Sequence, residues 1–501
     1  MMKVLKEYKC LVVTRALVAT GLLSTYSHAI AGDEFQQWMQ QQSYGMQQQV
    51  KEFKEYKDAR DKEFTAFLRA NWTAIDLVQG EARDESPKPD IIPVAPTVPP
   101  PVTVVKPEDG IAEPIDIEPP KPELVKKPVV APVPVSPGGR AVSVDLYGRQ
   151  VRFNYDAKLK HALTGRLTKD MISDYWSALS RTDYEDLLSQ LDAQKTSLQL
   201  NDWAYASLIN GLATGINNGR MNESALLSWF LLAKSGYKAR IAYSDHDVFL
   251  LMPSRHEMFE VSYFTLNGTR YYAVEFGGDN KSLGTVYTYE GDYPQAKNEL
   301  DMRVSSVVAT SEQPEQRRLS FKFEGRVYNI DVTYDRGRLK FFSTYPQLNL
   351  DLYFSSAVYR STATPLQRQL AAYMKDMNEQ QAVNFLLRFV QTSLKYETDE
   401  QQFGRENYLF PEETLFYPYS DCEDRAVLFA WLVESLLGLD VVGLNYPGHV
   451  AAAVKFNGHV AGDSVSHRGS RYVVTDPTYI NAVSGMTMPD FRRFTPEVIS
   501  Y

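Results

Sequence analysis

A chain of 501 residues is too long for one ordinary domain, so two or three are expected. Its residues are 44% hydrophobic and 12% aromatic, enough to build real cores. The net charge is -9 and no basic block stands out, so nucleic-acid binding has no support, and the acidity is too mild to point to a partner.

The N-terminus reads as an export signal over 1–31. Lys3, Lys6, Lys9 and Arg15 supply positive charge, Ala16 to Leu23 is a short apolar run, and Ala29-Ile30-Ala31 is a small-x-small cleavage site. The run is well short of the roughly 20 apolar residues a membrane span needs. A periplasmic or secreted protein is therefore expected, with no transmembrane segment after cleavage. An ordinary buried helix is the alternative. Cys10 lies before the apolar run, so it is not a lipoprotein cysteine, and it would leave with the signal. Cys422 would then be the one cysteine of the mature chain. In an oxidising compartment such a residue is an inert core residue, a cross-chain partner or a reactive thiol.

Residues 33–80 are rich in Gln, Glu and Lys. Trp38, Met39, Met46, Val50, Phe53, Tyr56, Phe64, Phe67 and Leu68 fall near helical spacing. A helix or helical hairpin is expected, with a stripe that pairs with a protein partner, with itself or with the rest of the chain. Residues 85–139 hold most of the prolines, as in Val98-Pro99-Pro100-Pro101-Val102. Extended polyproline geometry over this stretch would reach on the order of 100 Å or more, which suits a tether.

From about 140 the chain repeats itself. Val144-Asp145-Leu146-Tyr147-Gly148-Arg149 precedes a strand-like run ending at Tyr155, and Phe321-Lys322-Phe323-Glu324-Gly325-Arg326 does the same before Tyr334, with the Gly-Arg pairs 177 positions apart. Helical segments beginning at Asn201 and Asn378 keep that offset. Ala225 to Trp229 matches Val427 to Trp431 at an offset of 202, and each helix is followed by a glycine, Gly236 or Gly438. Two related halves are expected, 140–315 and 316–501, with an insertion of about 25 residues before Cys422 in the second. Arg220 would then stand in the place of Cys422 and Asp247 in that of His449, making the first half a degenerate copy. Asp245-His246-Asp247 reads as a surface turn.

The second half carries the chemistry. Glu423 to Leu437 predicts a buried helix stopped by Gly438, with Cys422 at its N-terminus, where outward N–H groups favour a thiolate. Glu423 and Asp424 suit a helix start but oppose that charge. Val441 to Leu444, His449 to Phe456 and Arg471 to Asp476 predict three strands. Adjacent antiparallel strands would bring His449 beside Asp476, and packing on the helix would bring the thiol to the imidazole. His449 would take and return the proton, and Asp476 would orient the ring. The Cys422 N–H would stabilise the oxyanion, with Tyr417 and Tyr419 as candidates for a second donor.

Ser420-Asp421-Cys422-Glu423-Asp424-Arg425-Ala426, Gly448-His449-Val450 and Val474-Thr475-Asp476-Pro477-Thr478-Tyr479 resemble the three motifs of the transglutaminase-like superfamily over about 380–485. The resemblance implies an α+β, papain-like core and a thioester acyl-enzyme resolved by water or an amine, with no cofactor required. Asp421-Cys422-Glu423 also resembles the stretch in bacterial transglutaminase-like cysteine proteinases in which acidic residues flanking the cysteine bind calcium. Asp421 and Glu423 are therefore candidate calcium ligands, helix-start charge being the alternative. A protein or peptide substrate is expected. No amine pocket is visible in the sequence, so hydrolysis ranks above cross-linking, and a non-catalytic scaffold or binding role is the third reading.

Overall fold

The structure, a computed structural model, describes residues 48, 52, 55–70, 72–80, 88–89, 91–96, 139–276, 284–305 and 308–501. The expected signal segment with Cys10, the apolar stripe before residue 55, and 97–138 of the proline-rich stretch lie outside the described residues. Residues 1–64 and 65–501 form two compact units. In the first, residues 55–64 are helical. The second begins with helical residues 65–70 and is an α+β assembly with largely antiparallel sheets. Among the described residues no helix is long and apolar enough to cross a membrane.

Two sheets in this unit share one strand order. The first comprises β1 (Trp72–Asp76), β4 (Arg240–Tyr243), β5 (Val248–Pro253), β6 (Tyr263–Leu266), β7 (Thr269–Ala273) and β8 (Thr285–Tyr289), ordered β1-β8-β4-β5-β7-β6. The second comprises β13 (Val441–Tyr446), β14 (His449–Val454), β15 (Ser464–His467), β16 (Ser470–Thr475) and β17 (Glu497–Ile499), ordered β17-β13-β14-β16-β15. Apart from β1, each strand of one has a counterpart in the other.

The elements before the sheets recur as well. Hairpins form from β2 (Arg140–Leu146) with β3 (Arg149–Tyr155), and from β9 (Pro314–Phe323) with β10 (Arg326–Asp335). Both turns need two consecutive left-handed residues, Tyr147 (φ 54°) and Gly148 (φ 83°), then Glu324 (φ 46°) and Gly325 (φ 82°). That conformation matches the strand twist and favours glycine. The helices α1 (Asp202–Ile216) and α3 (Glu379–Ser393) start on Asn201 and Asn378, whose side chains accept from Ala204 N at 3.0 Å and Gln381 N at 2.9 Å. The helices α2 (Met221–Lys234) and α4 (Cys422–Leu437) come next, and each packs on its own sheet.

Two expectations are corrected. The helix expected over 33–80 ends at residue 70, and Trp72 to Asp76 forms β1 instead. Its β-branched and aromatic residues suit the open edge of β8, and Trp72 packs edge-on to Tyr243 and Tyr289, both at 5.1 Å. Within the proline-rich stretch, the described residues of 88–96 are not a free tether. They lie on the second half, with Lys88 and Ala95 buried. The reason is polar: one lysine finds a cluster of carboxylates, and the backbone at 93–95 finds a strand-like partner at Ile480.

Candidate active site

Asp421 is extended and Cys422 opens α4. Asp424 secures this start, its Oδ1 accepting Leu409 N at 2.9 Å and its Oδ2 accepting Asp421 N at 3.4 Å. Sixteen helical residues span about 24 Å. Gly438, left-handed at φ 65°, ends the helix and sends the chain back as β13, which packs beneath α4. The six residues of β13 cover about 20 Å. The Pro447-Gly448 turn then starts β14 on His449, opposite Tyr446.

The imidazole–carboxylate half of the expected constellation is assembled. His449 Nε2 lies 2.8 Å from Asp476 Oδ2. Asp476 follows β16, and its other oxygen accepts Thr478 N at 2.9 Å and Tyr479 N at 3.2 Å. Phe491 stacks on the imidazole at 4.8 Å. Both His449 and Asp476 are buried, and His449 Nδ1 has no hydrogen-bond partner among the described residues.

Cys422 is not bonded to this pair. Its thiol is fully buried and donates to Glu423 Oε2 at 3.0 Å. Burial, then the Glu423 and Asp421 charges, push the thiol well above its ordinary range, against the pull of Lys88. The helix N-terminus does not offset these surroundings.

Gln391, on α3, holds the loop after Asp476. Its Nε2 donates to the carbonyls of Asp476 (3.1 Å), Tyr479 (2.8 Å) and Ala482 (3.2 Å). Gln391→Leu leaves those buried oxygens without this donor. A loss of about 1–3 kcal/mol is expected from urea denaturation, since an unmade buried hydrogen bond costs that much.

Tyr417 and Tyr419 are not hydrogen-bonded to Cys422. Tyr417 lends its carbonyl to Arg317 at 2.7 Å and its ring packs on Phe403 and Phe416. Tyr419 belongs to β12 (Tyr419–Ser420), paired in parallel with β11 (Lys395–Tyr396). The phenol close to the thiol is Tyr396. Burial, then Cys422, Asp421 and Glu423, raise its pKa, and its hydroxyl donates to the Pro89 carbonyl at 2.7 Å. No motif marks Tyr396 in the sequence. Its place follows from the short β11–β12 pairing.

Asp421 and Glu423 converge with two carboxylates the sequence did not point to, Asp399 and Glu406. One ligand oxygen from each lies within 4.8 Å of the others. Such an all-oxygen set suits a hard cation such as calcium. The place is taken by the Lys88 ammonium, which bonds Asp421 Oδ2 at 2.9 Å, also bonds Glu406 and Glu423, and lies 4.0 Å from Asp399 Oδ2. Burial alone would lower the Lys88 pKa, but Glu423 and Asp421 reverse that and hold it charged. Lys88 thus supplies the cluster with a counter-charge.

In the first half, Arg220 immediately precedes α2 and Asp247 immediately precedes β5. Asp245, His246 and Asp247 form an exposed turn tied by Arg166 to Asp245 at 2.6 Å. No protein-family model, curated protein sequence or solved structure matches the chain.

Proposed function

We propose that the chain is an exported, transglutaminase-like cysteine hydrolase that cleaves an amide or peptide bond. The observation that carries this reading is the His449–Asp476 pair, with its second ring nitrogen uncommitted, at the end of the sheet to which β13 returns from the Cys422 helix. With Asp476 on Nε2, the ring would accept a proton at Nδ1.

In the working arrangement the thiol leaves Glu423 and gives its proton to His449 Nδ1. The thiolate attacks the substrate carbonyl carbon, forming a carbon–sulfur bond and an oxyanion. The Cys422 N–H and the Tyr396 hydroxyl are the donors for that oxygen. Collapse breaks the carbon–nitrogen bond, and the imidazolium protonates the leaving amine. Water then attacks the thioester with His449 as base, releasing the acid and the free thiol.

A lysine beside the cysteine also raises cross-linking, in which an amine resolves the thioester. Lys88 is held as an ammonium by its carboxylates, and an ammonium has no lone pair to attack with. Lys88 itself is therefore not the acceptor, and the hydrolase reading takes water in that role. The test is mass spectrometry of candidate protein substrates incubated with the chain and with Cys422→Ala. New chain ends that require Cys422 are expected. Isopeptide products would select cross-linking, and no Cys422-dependent product would select a binding or scaffold role.

A further inference from the structure

We propose that the carboxylate pocket beside Cys422 is a subsite for the lysyl side chain of an extended peptide, and that Lys88 and the residues after it occupy that peptide groove. The inference rests on reading Cys422 as the reacting thiol and adds the side-chain class the site selects.

Asp399, Asp421 and Glu423 are almost fully buried, and Asp421 Oδ1 has no hydrogen-bond partner among the described residues. Burying carboxylates costs several kcal/mol each unless a counter-charge and hydrogen bonds are supplied. The cation facing them, bonded to Asp421 and Glu423 and 4.0 Å from Asp399, comes from Lys88, 333 positions before Asp421 and outside both recurring runs of elements. Asp399 and Glu406 belong to the stretch between α3 and α4. Between α1 and α2 only residues 217–220 intervene, so the pocket accompanies the half that holds the cysteine.

The segment carrying Lys88 is held as a peptide ligand is held. Its Pro89 carbonyl accepts from Tyr396 at 2.7 Å. Further along, Ala95 N donates to the Ile480 carbonyl at 2.6 Å, and Ile480 N donates to the Pro93 carbonyl at 3.0 Å. Ala95 packs with Tyr479, Ala482 and Met488. The segment thus runs from the residues flanking Cys422 to a residue four positions past Asp476. Two of its larger apolar side chains do little to hold it, since Ile91 is 83% and Val94 61% exposed. Backbone pairing with one charged and one small anchor resembles the strand-addition mode of peptide recognition, here through a single parallel bridge between Val94 and Ile480. A lysyl chain fits because its ammonium is a compact point charge with three donors. Lys88 bonds three of the carboxylates.

The test is alkylation of Cys422 by iodoacetamide, followed by peptide mapping to separate it from Cys10. Ala95→Glu places a charge in the apolar anchor and leaves the pocket intact. Lys88→Ala removes the other anchor. Each variant is checked for native circular dichroism, and Ala95→Glu carries the test if Lys88→Ala does not fold. Uncovering the fully buried thiol outweighs the loss of the Lys88 pull on it, so alkylation at least 10-fold faster than in the parent chain is expected. A synthetic peptide spanning Ser86 to Pro96 should slow it again at least 5-fold, and the same peptide with norleucine at the Lys88 position should not. Equal protection by the norleucine peptide, or unchanged alkylation in a folded Ala95→Glu chain, would overturn the proposal. Neither readout needs turnover. Lysine-dependent protection without hydrolysis defeats only the hydrolase reading, and hydrolysis without lysine-dependent protection defeats only the subsite.

Discussion

Asp476→Asn, introduced into the Ala95→Glu chain, is expected to lower the rate of Cys422-dependent hydrolysis on the order of 10³-fold while the chain stays folded. The fold is preserved because the asparagine carbonyl can take over Asp476 Oδ1, which accepts Thr478 N and Tyr479 N. The amide nitrogen then stands where Oδ2 faces His449 Nε2, now 2.8 Å away. An amide nitrogen only donates, so Nε2 must become the acceptor and the ring proton moves to Nδ1. A protonated Nδ1 cannot receive the thiol proton, and no carboxylate remains to stabilise imidazolium. The check is the hydrolysis rate against pH, together with the alkylation rate of Cys422. Hydrolysis within threefold of the Ala95→Glu background would separate the His449–Asp476 pair from the chemistry.

Much of this site was legible because it is built from local signals. Asn201 and Asn378 cap helices, the Gly148 and Gly325 turns reverse hairpins, and Gly438 stops the helix that begins at Cys422. Each depends on a few neighbouring residues, so spacing suffices to find it. The pairing of His449 with Asp476 followed from two strands that apolar runs and turn residues delimit. The rest depends on partners distant in sequence. Trp72 to Asp76 is a strand because the edge of β8 accepts it, although the residues before it favour a helix. Lys88 looks like any lysine in a proline-rich run until Asp399, Glu406, Asp421 and Glu423 surround it. The missing thiol–imidazole bond has the same origin. Glu423, the immediate neighbour of Cys422, accepts the thiol because Lys88 holds that carboxylate ionised.

Arg425→Ala is the substitution expected to cost the fold of this half most, about 3–5 kcal/mol by urea denaturation. The guanidinium is fully buried, donating to Ser420 Oγ at 3.1 Å, the Leu394 carbonyl at 3.0 Å and the Gln391 carbonyl at 3.5 Å. It thereby ties the start of α4 to the end of α3 and to β12. Burial lowers its pKa to about 10, partly opposed by Tyr396 and the charges of Asp421 and Asp424. It stays cationic at neutral pH. Arg425→Lys should recover less than half of the loss, because one ammonium cannot reach acceptors arranged for a planar fork. The pH dependence has a definite sign. Burial, with neighbouring carboxylates, raises the pKa values of Asp421 and Asp424 above their unfolded values. A raised carboxyl favours the folded state while protonated, and that advantage is lost as pH rises through the folded pKa. Removing Arg425 takes a cation from beside both groups and raises their pKa values further, so the deficit of Arg425→Ala should grow as pH rises through the folded pKa values. A deficit that does not change with pH would mean that lost packing and hydrogen bonds, not charge balance, make Arg425 necessary.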